Sequence, residues 1–111
     1  MNTLSTHVLD TMHGRPAAGL SLALTGPHGE IARGATNEDG RCPDLIAGAL
    51  PPGRYALRFS VAAYFRAQGV QLPNPPFLDE VTVDFGIANE GGHYHVPLLV
   101  SPFSYSTYRG S

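Results

Sequence analysis

His93-Tyr94-His95-Val96-Pro97-Leu98-Leu99-Val100, running on through Ser101-Pro102-Phe103-Ser104-Tyr105-Ser106-Thr107 to Tyr108-Arg109-Gly110-Ser111, is the stretch whose reading decides the fold. Successive side chains of a strand point to opposite faces of a sheet. Read that way, Tyr94, Val96, Leu98 and Val100 share one apolar face, and His93 and His95 share the other. The apolar set belongs on a core, so both histidines are expected to point away from it. Ser101-Pro102 breaks the strand, and a second run, Ser104 to Tyr108, predicts a hairpin. Chain ends usually fray. An end this rich in functional groups, directly after a strand, is expected to be held in place.

Working outward, the same alternation recurs. Leu4 to Asp10 places Leu4, Thr6 and Val8 on one side and Ser5, His7 and Leu9 on the other. Met12 to Ala18 reads as a turn punctuated by Gly14 and Pro16. Leu20 to Thr25 is a second strand, and Gly26-Pro27-His28-Gly29 turns tightly into a short third strand near Ile31. Ala35 to Gly40 is a polar loop ending in Asp-Gly, with Arg41 directly behind it. Cys42 to Ile46 reads as a short strand, with Cys42 as a small buried residue in it.

Further along, Arg54 to Ser60 alternates with Tyr55, Leu57 and Phe59 inward. Val61 to Gln68 loses the alternation and is predicted as the single helix, with Gly69 at its C-terminal cap. Pro73 to Pro76 is a rigid surface loop. Asp79 to Phe85 alternates with Val81, Val83 and Phe85 inward, and Ala88 to Gly92 turns into the histidine strand. About eight short strands at even spacing predict an all-β, two-sheet antiparallel sandwich with one short helix, as a single domain over residues 1–111.

Composition bounds the function. The chain of 111 residues is 42% hydrophobic and only 14% charged, which argues for a folded domain with part of its surface covered by other subunits. The net charge is -2 without a basic cluster, so nucleic acid is not an expected partner. No apolar run is long enough to span a bilayer and no leader-like segment precedes the first strand, so a cytoplasmic protein off the membrane is expected. The one cysteine, Cys42, forms no intrachain disulfide.

The groups able to carry chemistry lie off the expected core: His7, Arg41, His95 with its neighbour His93, and the terminal Arg109 and Ser111. A histidine exchanges protons near neutrality because its ordinary pKa is about 6.5. Two of them across a shared pocket, with an arginine to hold a carbonyl-rich substrate, suffice for acid-base hydrolysis. Each group also has a plainer reading. His7 fits a solvated strand residue, and Arg41 a turn residue paired with Glu38 or Asp39. His13 and His28 fit surface turns. His93 and His95 fit two zinc ligands, but the further ligands such a site requires are missing, so no metal is expected. Ser111 has no nucleophile elbow around it.

The runs GRPAAGLSLAL, ATNEDGRC and LPPGRYALRFS resemble carboxypeptidase-regulatory-type and prealbumin-like modules, which supports a fold and no function. LSTHVLDTMHGRPAAG, TNEDGR and HYHVPLLVSPFSYSTYRGS together resemble the transthyretin-related family, and within it the 5-hydroxyisourate hydrolases, over essentially the whole chain. The hormone carrier of that family shares the SPFSYST-like hairpin but neither these histidines nor the YRGS end. By this resemblance, His7, Arg41, His95 and Ser111 are catalytic, and Tyr108 and Arg109 join them in holding substrate. It implies hydrolysis of the cyclic amide of 5-hydroxyisourate without a cofactor. It also implies a homotetramer, a dimer of dimers, whose channel is lined by the outward faces of the first and the last two strands. The alternative is a small-ligand binding protein using the same channel.

Overall fold

The computed structural model describes residues 2–45, 48–88 and 92–110. Eight strands run in chain order: β1 (Thr3–Asp10), β2 (Arg15–Pro16), β3 (Ser21–Gly26), β4 (Gly29–Ala35), β5 (Gly53–Ser60), β6 (Glu80–Ile87), β7 (His93–Val100) and β8 (Tyr105–Thr107). One α-helix, α1 (Val61–Ala67), follows β5. The strands form two four-stranded sheets, ordered β2-β1-β7-β8 and β4-β3-β5-β6. The expected two-sheet sandwich is the fold.

Alternation explains the packing. From β1, Thr6, Val8 and Asp10 are buried, and from β7 Tyr94, Val96, Leu98 and Val100. Val8 and the four β7 side chains join Leu22 and Leu24 of β3, Tyr55, Leu57 and Phe59 of β5, and Val81 and Val83 of β6 in one apolar core. Each fully buried side chain of this kind contributes roughly 1.5–3 kcal/mol over its exposed state. Helix α1 turns Val61, Ala62, Tyr64 and Phe65 inward, the one-sided spacing of a helix face. It ends in a paired-carbonyl cap, Gly69 N–H to Arg66 and Val70 N–H to Phe65, both at 3.0 Å, with Gly69 at φ 85°.

One strand pair departs from the antiparallel pattern. β1 and β7 run parallel, with Ser5 opposite His95 and His7 opposite Pro97. A parallel pair requires a long crossover, and here everything in the other sheet lies between the two strands. The ends of the sequence thus become adjacent central strands.

Two local expectations are corrected. Cys42 is buried but not in a strand: the chain turns there into a 3-10 helix, Pro43–Leu45, since Pro43 supplies no ladder N–H. Ile46, the end of that predicted strand, lies outside the described residues, as do residues 89–91 of the predicted turn before β7. The turn from Met12 to Ala18 contains the two-residue strand β2, which pairs with Leu9 and Asp10. His13 lies in a surface turn as expected, and its ring nitrogen Nδ1 donates to Asp10 at 2.6 Å.

Candidate active site

The parity that buries Val8 and Val96 turns His7 and His95 to the outer face of the same sheet. Both are half-buried there. Arg41 arrives from the polar loop. Asn37 organises that loop: its Oδ1 accepts the amides of Asp39 at 2.9 Å and Arg41 at 3.0 Å, and its own amide donates to the Arg41 carbonyl at 2.7 Å. The loop then docks on β1, with Val8 N–H donating to the Gly40 carbonyl at 2.8 Å and Arg41 pairing with His7 as an antiparallel bridge. Gly40 is required twice over. Its φ is 77°, and a Cβ would collide with the Val8 carbonyl and press to 3.3 Å from the His7 ring. Among the described residues Arg41 makes no ion pair, so the expected partnership with Glu38 or Asp39 is not formed.

The closing residues reach His95 from the other side. Gly110 N–H donates to the His95 carbonyl at 2.7 Å. A Cβ on Gly110 would stand 2.7 Å from Cδ2 of the His95 ring, so only glycine permits this approach. Tyr108 and Arg109 take a different place. The Arg109 guanidinium stacks 3.9 Å over the Tyr94 ring and donates to the His93 carbonyl at 3.4 Å. With Tyr108 it lines a cleft of about 210 Å³ at the open edge between the sheets, beside Val83, Phe85 and Val96. Tyr94 and His95 point to opposite faces, so Tyr108 and Arg109 lie across β7 from the histidine group. Ser111 lies outside the described residues.

His95 Nδ1 is engaged by the Ser5 hydroxyl at 2.7 Å, which leaves Nε2 to meet a substrate. Burial lowers the His95 pKa below its ordinary value, and interaction with the Arg41 guanidinium and with the His7 and His93 rings pushes in the same direction. The shift favours the neutral ring, the form that is able to accept a proton. His93 spends both ring nitrogens on hydroxyls, Nδ1 with Thr3 at 2.6 Å and Nε2 with Ser5 at 2.9 Å. Among the described residues, no three His, Cys, Asp or Glu side chains converge as a metal site.

Two groups of side chains escaped the sequence reading. Thr3 and Ser5 were visible by parity, four and two residues before His7 on its face. Asp10 was visible too, as the next inward position after Val8. It is buried, accepting the Tyr64 hydroxyl at 2.7 Å, the His13 ring and the His13 amide at 2.9 Å. Burial alone would raise its pKa, but the hydrogen bonds from His13 and Tyr64 prevail and hold the carboxyl below its usual value. Burial and the adjacent carboxylate push the Tyr64 phenol up to about 12.

Fold and site together define a two-sheet sandwich that presents histidines and an arginine on a sheet face. Residues 4–110 match the model of the HIUase/Transthyretin family, and the chain belongs to that family. It is 53% identical to the 5-hydroxyisourate hydrolase of Pseudomonas aeruginosa, across the whole of this chain and 93% of that one. The crystal structure of (S)-allantoin synthase matches with a TM-score of 0.90 and 41% identity; 99% of this chain is covered, but only 44% of that protein. The Klebsiella pneumoniae 5-hydroxyisourate hydrolase structure matches over the full length of both chains, with a TM-score of 0.88 and 38% identity.

Proposed function

We propose that this protein hydrolyses 5-hydroxyisourate, opening its six-membered ring to 2-oxo-4-hydroxy-4-carboxy-5-ureidoimidazoline. The observation that carries the reading is the placement of His7, Arg41 and His95, from three remote segments, on one sheet face. The name borne by full-length relatives at this level of identity supplies the substrate.

The chemistry follows from the groups. His95 Nε2 takes a proton from water as the water oxygen bonds to a ring carbonyl carbon. Arg41 orients the planar, carbonyl-rich ring through its fork of donors and offsets the charge developing on the carbonyl oxygen. The C–N bond then breaks, and His7 supplies the proton that the leaving nitrogen requires. Gly110 packs against His95 and keeps its ring in place. No step calls for a cofactor. The active species is a homotetramer, a dimer of dimers, with the outer face of β1, β7 and β8 lining its channel. The low charged content of 14% supports a surface partly covered by other subunits. A cytoplasmic setting fits a small-molecule hydrolase of this kind.

A carrier of apolar ligands is the weaker reading. Burying His7, Arg41 and His95 against such a ligand leaves polar groups unpaired, at about 1–3 kcal/mol each. The deciding experiment follows the ultraviolet decay of freshly made 5-hydroxyisourate with and without the protein. Acceleration proportional to protein concentration supports the reading, and decay at the spontaneous rate overturns it.

A further inference from the structure

The outer face of β1 and β7 carries a continuous hydrogen-bonded chain. It runs from the exposed Thr3 hydroxyl to His93 Nδ1 at 2.6 Å, from His93 Nε2 to the Ser5 hydroxyl at 2.9 Å, and from Ser5 to His95 Nδ1 at 2.7 Å. The parallel register creates it by setting Thr3 opposite His93 and Ser5 opposite His95.

Counting protons shows what the chain can do. A neutral imidazole carries one N–H and each hydroxyl one O–H. Three links then have two complete polarities. In one, His95 donates from Nδ1, Ser5 to His93 Nε2, and His93 from Nδ1 to Thr3, which leaves the His95 Nε2 lone pair open. In the other, every donor is reversed and His95 holds its proton on Nε2. Both satisfy every link, and moving from one to the other displaces each proton by a single bond.

We propose that Thr3, His93 and Ser5 form a proton relay that exchanges protons between His95 and solvent, with Ser5 and His93 as positioning residues for the reaction. The proposal rests on the hydrolase reading, in which His95 takes the proton of the attacking water. As that proton bonds to Nε2, the Nδ1 proton passes to Ser5, the Ser5 proton to His93 Nε2, and the His93 Nδ1 proton to Thr3. The Thr3 proton leaves to bulk water. One proton enters and one departs, no electrons are transferred, and His95 stays neutral throughout. A proton entering at Thr3 drives the chain backward and restores the starting tautomer once Nε2–H has been given up. This gives His93 a task although neither of its ring nitrogens is open to substrate.

Ser5→Ala cuts the chain at its centre and His93→Gln cuts it one link further out. For both, kcat is expected to fall about ten- to a hundredfold, part of what a positioned acid or base contributes, with KM within about twofold. Adding small imidazole buffers should raise the rate of either variant with concentration and leave the wild type unaffected, because a diffusing buffer replaces a relay. Ser5→Thr keeps a hydroxyl and should keep the rate. Nitrogen NMR of the ring nitrogens requires no substrate. It should show His93 and His95 changing tautomer together in the wild type and independently in Ser5→Ala. Folded variants at the wild-type rate, or slowed without any buffer response, overturn the relay while the hydrolase reading stands. A wild type inactive on 5-hydroxyisourate overturns the hydrolase reading, and the tautomer spectra then decide the relay alone: independent exchange in the wild type overturns it.

Discussion

His95 and His7 sit on one face, yet their surroundings differ. His95 is half-buried, interacts with the Arg41 guanidinium and the His7 ring, and has its Nδ1 taken by Ser5. His95→Ala and His7→Ala are each expected to lower kcat by roughly two to four powers of ten. Urea unfolding should show little change, since neither side chain contributes to the core; a folded variant with wild-type turnover removes that residue from the mechanism. The pH profile follows from the sign of the His95 shift. A base must be neutral to act, and a lowered pKa extends the neutral form toward acid. The rate should hold as pH falls past the ordinary histidine range and drop only through the lower value of His95. A limb at or above the ordinary histidine pKa, abolished in no histidine variant, would exclude His95 as the base. Gly110 belongs to the same scale. Gly110→Ala places a Cβ 2.7 Å from the His95 ring, so it is expected to reduce kcat about tenfold or more by displacing that base. Circular dichroism should be unchanged, and an unaffected rate would show that the ring tolerates the methyl group.

Among the elements, most of what the sequence disclosed concerned faces, and most of what it concealed concerned partners. Alternation in β1, β5, β6 and β7 sorted Val8, Leu57, Val81 and Val96 inward, and His7 and His95 outward, because period 2 is a property of a single strand. The parallel pairing of β1 with β7 is a property of two segments about ninety residues apart, and no local pattern encodes it. For the same reason Ser5 and His93 were each readable as outward, but not as hydrogen-bonded to one another. Cys42 to Ile46 misled because a short apolar run is ambiguous, and Pro43 tipped it toward a turn. Asp10 shows how helix and sheet are joined. Tyr64 of α1 donates to Asp10 at the end of β1, and His13 of the following turn does the same. Tyr64→Phe removes one bond to a buried carboxylate and is expected to cost about 1.5–3 kcal/mol at pH 7. The Asp10 pKa is lowered in the fold, so this contribution is present above the ordinary carboxylate range and lost as pH falls through the lowered value. Urea titrations of both proteins should therefore converge in acid, and an equal difference at both pH values would mean the bond does not depend on the charge.

For the whole molecule, the decisive question is what covers the sheet face that carries the histidines. In the protomer this face also holds Leu9 and Leu99, paired across β1 and β7 and half-buried, and Ser106 of β8 opposite Leu99. One sheet ends at β8 and the other at β6, and open strand edges invite pairing. A single protomer leaves His7, Arg41 and His95 on an open surface, where water competes for every hydrogen bond to a substrate. A channel between copies would exclude that water and strengthen the same contacts. Leu99→Arg separates the two cases. On a solvated face an added arginine is tolerated within about 0.5 kcal/mol. In a channel or interface it introduces a buried charge from each of several subunits, which the assembly cannot satisfy. The expected result is a wild-type tetramer by light scattering, and a Leu99→Arg protein that unfolds at nearly the same urea concentration but sediments as a smaller species with reduced activity. A wild type that scatters as a monomer at micromolar concentration, or a Leu99→Arg variant identical to it in size and rate, would mean that the face works uncovered and that the site is complete within one chain.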